Sequence, residues 1–163
     1  MAFTPQDSVL APTKSFFFMS DHPILNITNV ATPDAYPAIT AATLSGEWPA
    51  LTERLERTAA DYRRAPSLHT LVQLEGTLHA ILRAPRDTLG TWADAEPGNP
   101  WPWLAQGMAD TYAGLDARGT ETADQLTEAE WEQVAEYLTQ AQAPLTRALE
   151  LGVQPGPALA AIG

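Results

Sequence analysis

One pair of ionisable residues has the types and the spacing that could support chemistry. Glu75 and His79 lie four residues apart, so in a helix they share one face and can touch. Both fall in the apolar stripe of residues 68–84, the most apolar helical stretch of the chain. There they could act as acid and base, or bind a metal with ligands from another helix. The alternative that we favour is a buried hydrogen-bonded pair, joined by Arg118 or Tyr112 from a neighbouring helix.

Other catalytic and cofactor-binding patterns are absent from the sequence. A divalent metal needs three or four ligands, but the chain has no cysteine, and its only other histidines are His22 and His69. His69 falls about 80° from His79 around the helix, away from the apolar stripe. There is no phosphate-binding glycine loop, no G-x-S-x-G and no H-E-x-x-H. We therefore expect no catalytic residue, no metal and no cofactor, and a protein that is not an enzyme.

Tryptophans are the next candidates, because a large exposed aromatic side chain often anchors a partner protein. Trp103 is flanked by two prolines and does not share the apolar stripe that begins at Trp101. Trp48 opens a helix and is a second candidate anchor. Trp101 and Trp131 lie on inward stripes, so we expect them to pack in the core. The sequence thus predicts Trp48 and Trp103 as partner-binding residues.

The net charge of −11 belongs mostly to the second half of the chain. Residues 1–86 hold eight acidic and seven basic side chains, whereas residues 87–163 hold twelve acidic and two basic ones. Such a surface repels nucleic-acid phosphates and anionic lipids and favours basic partners. Acidity that serves solubility alone is the alternative. Glu128 and Glu132, at the start of the last long helix, are predicted to border a partner-binding groove.

The cellular compartment is inferred from three features that the sequence lacks: a membrane span, a signal peptide and cysteine. No apolar run reaches the roughly 18 residues of a membrane span, and the first residues carry no basic region typical of a signal peptide. Without cysteine there is no disulfide framework. We expect a soluble, cytoplasmic protein that binds neither membranes nor nucleic acid.

Hydrophobic periodicity of 3.6 residues predicts helices through most of the chain. They are expected over residues 34–45, 48–64, 68–84, 87–95, 99–119 and 127–152. The last has both ends marked: Thr127 and Glu130 have the spacing of a capping box, and Gly152 follows the final turn. Pro144 interrupts its hydrogen-bond ladder, which predicts a kink near Gln140 or a split into two segments.

The first 33 residues differ from the rest. Residues 1–33 contain four prolines with short apolar patches between them, which is typical of an extended arm or a short strand. We expect this arm to pack on a helical domain formed by residues 34–163.

Two stretches resemble helical-repeat proteins. A small residue, leucines, a glycine at the turn and an aromatic residue opening the second helix occur in a tetratricopeptide-like pattern: Ala42, Leu44, Gly46, Trp48, Leu51 and Leu55. A second set of residues resembles an uncharacterised bacterial helical domain of unknown function: Trp92, Pro97, Asn99, Pro100, Leu104, Tyr112, Ala113, Ala117, Arg118, Gly119, Trp131, Leu138, Ala141, Leu145, Ala148 and Leu149. These resemblances imply a helical-repeat architecture and bring no activity with them.

The sequence therefore predicts an all-α protein of stacked antiparallel helical hairpins, an α-solenoid of tetratricopeptide-like type with an extended N-terminal arm. The expected function is a non-enzymatic interaction module whose groove binds a partner protein, with a basic partner favoured by charge. Two alternatives stay open. One is a metal-binding or hydrolytic enzyme centred on Glu75 and His79, and the other is an acidic inhibitor or immunity-type protein.

Overall fold

The computed structural model describes residues 35–119 and 125–153, and six α-helices account for most of them. Their bounds are α1 Ala35–Ser45, α2 Trp48–Arg64, α3 Leu68–Ile81, α4 Arg86–Ala95, α5 Pro100–Arg118 and α6 Glu128–Glu150. The described ranges contain no β-strand, so the expected all-α class is confirmed for them. The predicted arm over residues 1–33 lies outside the described residues.

Local side-chain caps set several of the helix ends. Asn99 accepts a hydrogen bond from the backbone N–H of Trp101 at the start of α5. At the start of α6 the capping box forms as predicted: the Glu130 N–H donates to Thr127 Oγ1 over 3.3 Å, and the Thr127 N–H donates to Glu130 Oε2 over 2.7 Å. Gly119 follows α5 with a φ of +65°, a backbone conformation that favours glycine. These ends depend on contacts within a few residues.

The longest helix, α6, runs through Pro144 without a break, so the predicted split is wrong. A proline removes one backbone hydrogen bond from the ladder. Here the proline is buried, and its packing offsets part of that loss. The alternative prediction, a kink near Gln140, stays a prediction.

Two glycines of α5 allow α6 to approach closely. A Cβ atom at Gly107 would lie 2.4 Å from Leu145 Cγ, and one at Gly114 would lie 3.3 Å from the Cβ of Tyr137. Both glycines are buried and stand seven residues apart, so they share one face of α5. Their missing side chains thus bring these two helices together.

A single apolar core receives buried side chains from all six helices. Representative members, one from each helix in order, are Ile39, Leu55, Ile81, Trp92, Leu104 and Ala148. α1 packs on α2 and α3, α2 packs on α3, and α5 packs on α4 and α6. α5 therefore contacts two neighbouring helices, whereas α6 packs mainly on α5.

Candidate functional site

The acid and base predicted on α3 occupy different environments. Glu75 is buried, with 7% of its surface exposed, whereas His79 is exposed. His79 Nδ1 donates to the backbone carbonyl of Glu75 over 3.0 Å, and its ring lies against Tyr112 with centroids 5.5 Å apart. The predicted buried trio of Glu75, His79 and Arg118 is therefore wrong, because the imidazole turns back to its own helix and Arg118 is exposed. Tyr112 of α5, the other expected partner, does lie beside His79.

Burial dominates the electrostatics of this cluster. Desolvation raises the pKa of the Glu75 carboxyl, and the nearby His79 acts in the opposite direction. Desolvation and the negative charge of Glu75 both raise the pKa of the Tyr112 hydroxyl. In residues 35–119 and 125–153 no three His, Asp or Glu side chains are grouped so that they could hold a metal ion. The pair offers two of the ligands that a divalent ion needs, and His22 lies outside those ranges.

A second buried carboxylate, which sequence reasoning missed, belongs to an ion pair between α4 and α5. Asp110 is only 1% exposed and binds the Arg86 guanidinium through two contacts, Nε–Oδ1 at 2.5 Å and Nη2–Oδ2 at 3.0 Å. The hydrogen bond to Asp110 raises the pKa of Arg86. No sequence signal marks this pair, because the two residues are 24 positions apart and meet only when α4 packs on α5.

The two tryptophans predicted as exposed anchors are packed instead. Trp48 is half-buried and stacks on Trp92, with ring centroids 5.8 Å apart and planes inclined by 13°. Trp103 is also half-buried, and its Nε1–H donates to the backbone carbonyl of Pro97 over 3.1 Å. Both pack against the apolar core and are less exposed than predicted, and their role as partner anchors stays a prediction. Trp48 is held by Trp92 of α4 and Trp103 by Pro97 in the turn after α4, an arrangement that helical periodicity does not contain.

Large apolar side chains are exposed along α6. Its exposed apolar residues are Trp131, Leu138 and Leu149, with 43%, 43% and 54% of their surfaces exposed; we call these three residues the α6 stripe. The steps of seven and eleven residues between them correspond to about two and three helical turns, so the stripe is straight and about 27 Å long. The prediction that Trp131 is a core residue is therefore wrong.

A second set of α6 residues explains this error. Val134, Ala141 and Ala148 are buried, and they lie about 75° around the helix from the α6 stripe. The apolar surface of α6 is thus wider than one contact with α5 can cover. An apolar helix face that is wider than one neighbouring helix can cover is therefore the feature of the sequence that indicates an exposed stripe.

Acidic side chains border the α6 stripe at the start of the helix. Glu128 and Glu132 are both exposed in the first turns, on the side of Trp131 opposite to the buried residues. α6 carries five glutamates and one arginine, a balance of −4. The structure thus places the two predicted glutamates beside the stripe, and away from the packed side chains of Trp48 and Trp103.

A cleft of about 370 Å³ opens elsewhere, between α2, the start of α5 and the segment that follows α6. Its walls combine charged, aromatic and aliphatic side chains: Glu56, Ala59, Tyr62, Arg63, Leu74, Pro100, Trp101, Leu151, Gly152 and Val153. The α6 stripe does not line it. The cleft and the α6 stripe are therefore separate surfaces, and a ligand could bind to either.

Comparison of the chain with protein families, with curated proteins and with solved structures found no match. Among the helices of the described ranges, none combines the length and the apolar character that crossing a bilayer requires. The function must therefore be argued from the surfaces themselves.

Proposed function

We propose that this chain is a non-enzymatic protein-interaction module that binds an amphipathic, basic helix of a partner protein along α6. The observation that carries the proposal is the α6 stripe, since large apolar side chains exposed in one line are typical of an interaction surface. A partner helix would bury these side chains with apolar residues at positions i, i+3, i+4 and i+7.

Charge supports a basic partner. Glu128 and Glu132 lie along one edge of the α6 stripe, and α6 has few cations to neutralise them. Lysine or arginine on the flank of a docked helix would face these carboxylates, which would speed association and fix the orientation. The acidic surface would in the same way support an inhibitor or immunity-type protein that neutralises a basic protein.

The same proposal includes the stacking of the helices, the N-terminal segment and the cellular location. A tetratricopeptide-like stack of antiparallel hairpins is supported by the packing of α1 on both α2 and α3, as successive hairpins of a solenoid do. The segment of residues 1–33 would be an extended arm beside this stack. A cytoplasmic location is supported by the absence of cysteine.

A synthetic helix tests the proposal directly. The probe is a fluorescent peptide of about five helical turns with leucine on one face and lysine on the other, titrated with the full chain and followed by fluorescence anisotropy. We expect saturable binding that weakens when salt is raised from about 50 mM to about 300 mM, because the flanking charges become screened. Binding that is absent at low salt would contradict the proposal.

Substitutions separate the α6 stripe from general acidity. Leu138→Ser and Leu149→Ser should each weaken binding about five- to tenfold, the size of one lost apolar anchor. Leu68→Ser is the matched control, because Leu68 is 65% exposed on α3 and should leave binding unchanged. Equal effects of the α3 and α6 substitutions would contradict the proposed surface.

Removal of single negative charges tests the role of Glu128 and Glu132. Glu128→Gln and Glu132→Gln should each weaken binding about two- to threefold at low salt and have no effect at high salt. Asp94→Asn, at an exposed position of α4, is the control. Loss of binding in the glutamate variants with full binding in the leucine variants would favour the inhibitor alternative instead.

A further inference from the structure

The cleft between α2 and α5 is lined by two residues of opposite charge that lie at a fixed spacing along α2. Glu56 and Arg63 both line it and stand seven residues apart on α2, so they share one face of the helix about 10 Å apart along its axis. Among the ion pairs formed within the described residues, neither of the two takes part. Both charges are therefore available to a ligand in the cleft.

The Glu56 carboxylate is oriented by a hydrogen bond from the floor of the cleft. Trp101 Nε1–H donates to Glu56 Oε1 over 2.6 Å, and Trp101 is itself buried. This bond fixes one carboxylate oxygen of an otherwise exposed side chain. A carboxylate whose orientation is fixed is a suitable site for an ammonium group.

The rest of the cleft wall is suited to an apolar side chain. Leu74 and Val153 are buried residues that line the cleft, and Tyr62 is half-buried beside them. A volume of about 370 Å³ lies at the lower end of the range for small-ligand sites. The cleft thus combines an anionic end, an apolar wall and a cationic end.

The spacing of the two residues along α2 sets the length of a ligand that can reach both charges. An extended peptide spans about 3.3–3.6 Å per residue, so a peptide of about three residues places its two termini about 10 Å apart. We propose that the cleft binds a short zwitterionic peptide of about three residues. Its terminal ammonium group lies at Glu56, its carboxylate at Arg63, and its central side chain against Leu74 and Val153.

This ligand site goes beyond the partner-binding function proposed above, since it shares no residue with the α6 stripe. The two proposals can therefore fail independently. A chain that binds the basic helix and ignores the short peptide would overturn this inference alone.

The test is a titration of the full chain with the tripeptide Ala-Leu-Ala, followed by the NMR signal of the Trp101 indole N–H. We expect a saturable shift of this signal. The N-acetylated and the C-amidated tripeptides should each bind at least fivefold more weakly, because each lacks one terminal charge. A blocked peptide that binds as well as the free one would overturn the inference.

Substitutions test whether Glu56 and Arg63 bind the two termini of the peptide. Glu56→Gln keeps an oxygen that can accept the Trp101 hydrogen bond and removes the charge, and Arg63→Gln removes the opposite one; each should weaken binding at least fivefold. Glu53→Gln and Arg57→Gln are matched controls on the same helix, because neither residue lines the cleft. No saturable shift up to about 10 mM peptide, or equal losses in the control variants, would overturn the inference.

Discussion

Two ion pairs in this protein have the same N–O distance and differ in the burial of the carboxylate. Arg57 and Glu53 meet at 2.5 Å on the surface of α2, with more than two thirds of each side chain exposed. Arg86 and Asp110 also meet at 2.5 Å, but there the carboxylate is 1% exposed. The comparison teaches that burial, and not distance, decides what such a pair contributes, because only a buried carboxylate depends on its partner for solvation.

A third carboxylate extends the comparison. Glu75 on α3 is buried like Asp110, yet within the described residues it forms no ion pair and its side chain accepts no hydrogen bond. Burial then outweighs the opposing effect of His79 and raises the pKa of Glu75. Asp110 should therefore depend strongly on its cation, whereas Glu75 should lower the stability of the fold whenever it is charged.

The largest expected effect is the loss of the cation beside Asp110. Arg86→Met should lower the free energy of unfolding by about 3 kcal/mol, because it leaves a buried carboxylate without a partner. Arg57→Met, which breaks the exposed pair of equal distance, should cost less than about 0.5 kcal/mol. Urea unfolding of both variants at pH 7 measures the difference, and equal losses would contradict the role of burial.

A second variant checks this explanation. Arg86→Met combined with Asp110→Leu should recover most of the lost stability, since the buried charge is then gone. A double variant as unstable as Arg86→Met would instead show that the arginine stem, and not its charge, supports the α4–α5 contact.

A smaller effect of opposite sign is expected at Glu75. Because its pKa is raised in the folded state, the stability it contributes is fully present below the unfolded-state pKa and is lost as pH rises through the folded-state pKa. Glu75→Gln should therefore raise the free energy of unfolding at pH 7 by about 1 kcal/mol. The gain should disappear at acidic pH, where the wild-type carboxyl is neutral; a gain that does not depend on pH would contradict this.

The smallest effect concerns an exposed carboxylate with the opposite pKa shift. Hydrogen bonds from the Thr127 backbone N–H and side chain lower the pKa of Glu130 in the cap of α6. Its contribution is present above the unfolded-state pKa and is lost as pH falls through the folded-state pKa. Glu130→Gln should slightly lower the melting temperature at pH 7 and not at low pH, and Glu136→Gln on the same helix serves as the control.

The helices and their ends could be read from the sequence to a large extent. All six expected helices occur, and the cap at Thr127 forms as predicted. These features depend on residues within one or two turns, whose interactions are the same in any packing. The unbroken course of α6 through Pro144 was missed, because burial of that proline is a tertiary fact.

The candidate sites were predicted less well. Glu128 and Glu132 are exposed, but two tryptophans have environments that differ from the expected ones: Trp103 is half-buried and Trp131 is exposed. Periodicity shows that a residue lies on an apolar face and leaves open which part of the face a neighbour covers. The Arg86–Asp110 pair has no local signal, since its partners meet across two helices.

By itself the sequence determined the helices of residues 35–119 and 125–153 and a cysteine-free chain with an acidic second half, because helix propensity, capping and charge are local or additive properties. Only the tertiary structure decided which tryptophans face solvent, which carboxylate finds a cation and where a cleft opens. Each of these depends on the relative positions of helices that are distant in sequence, and those positions follow from how whole faces pack together.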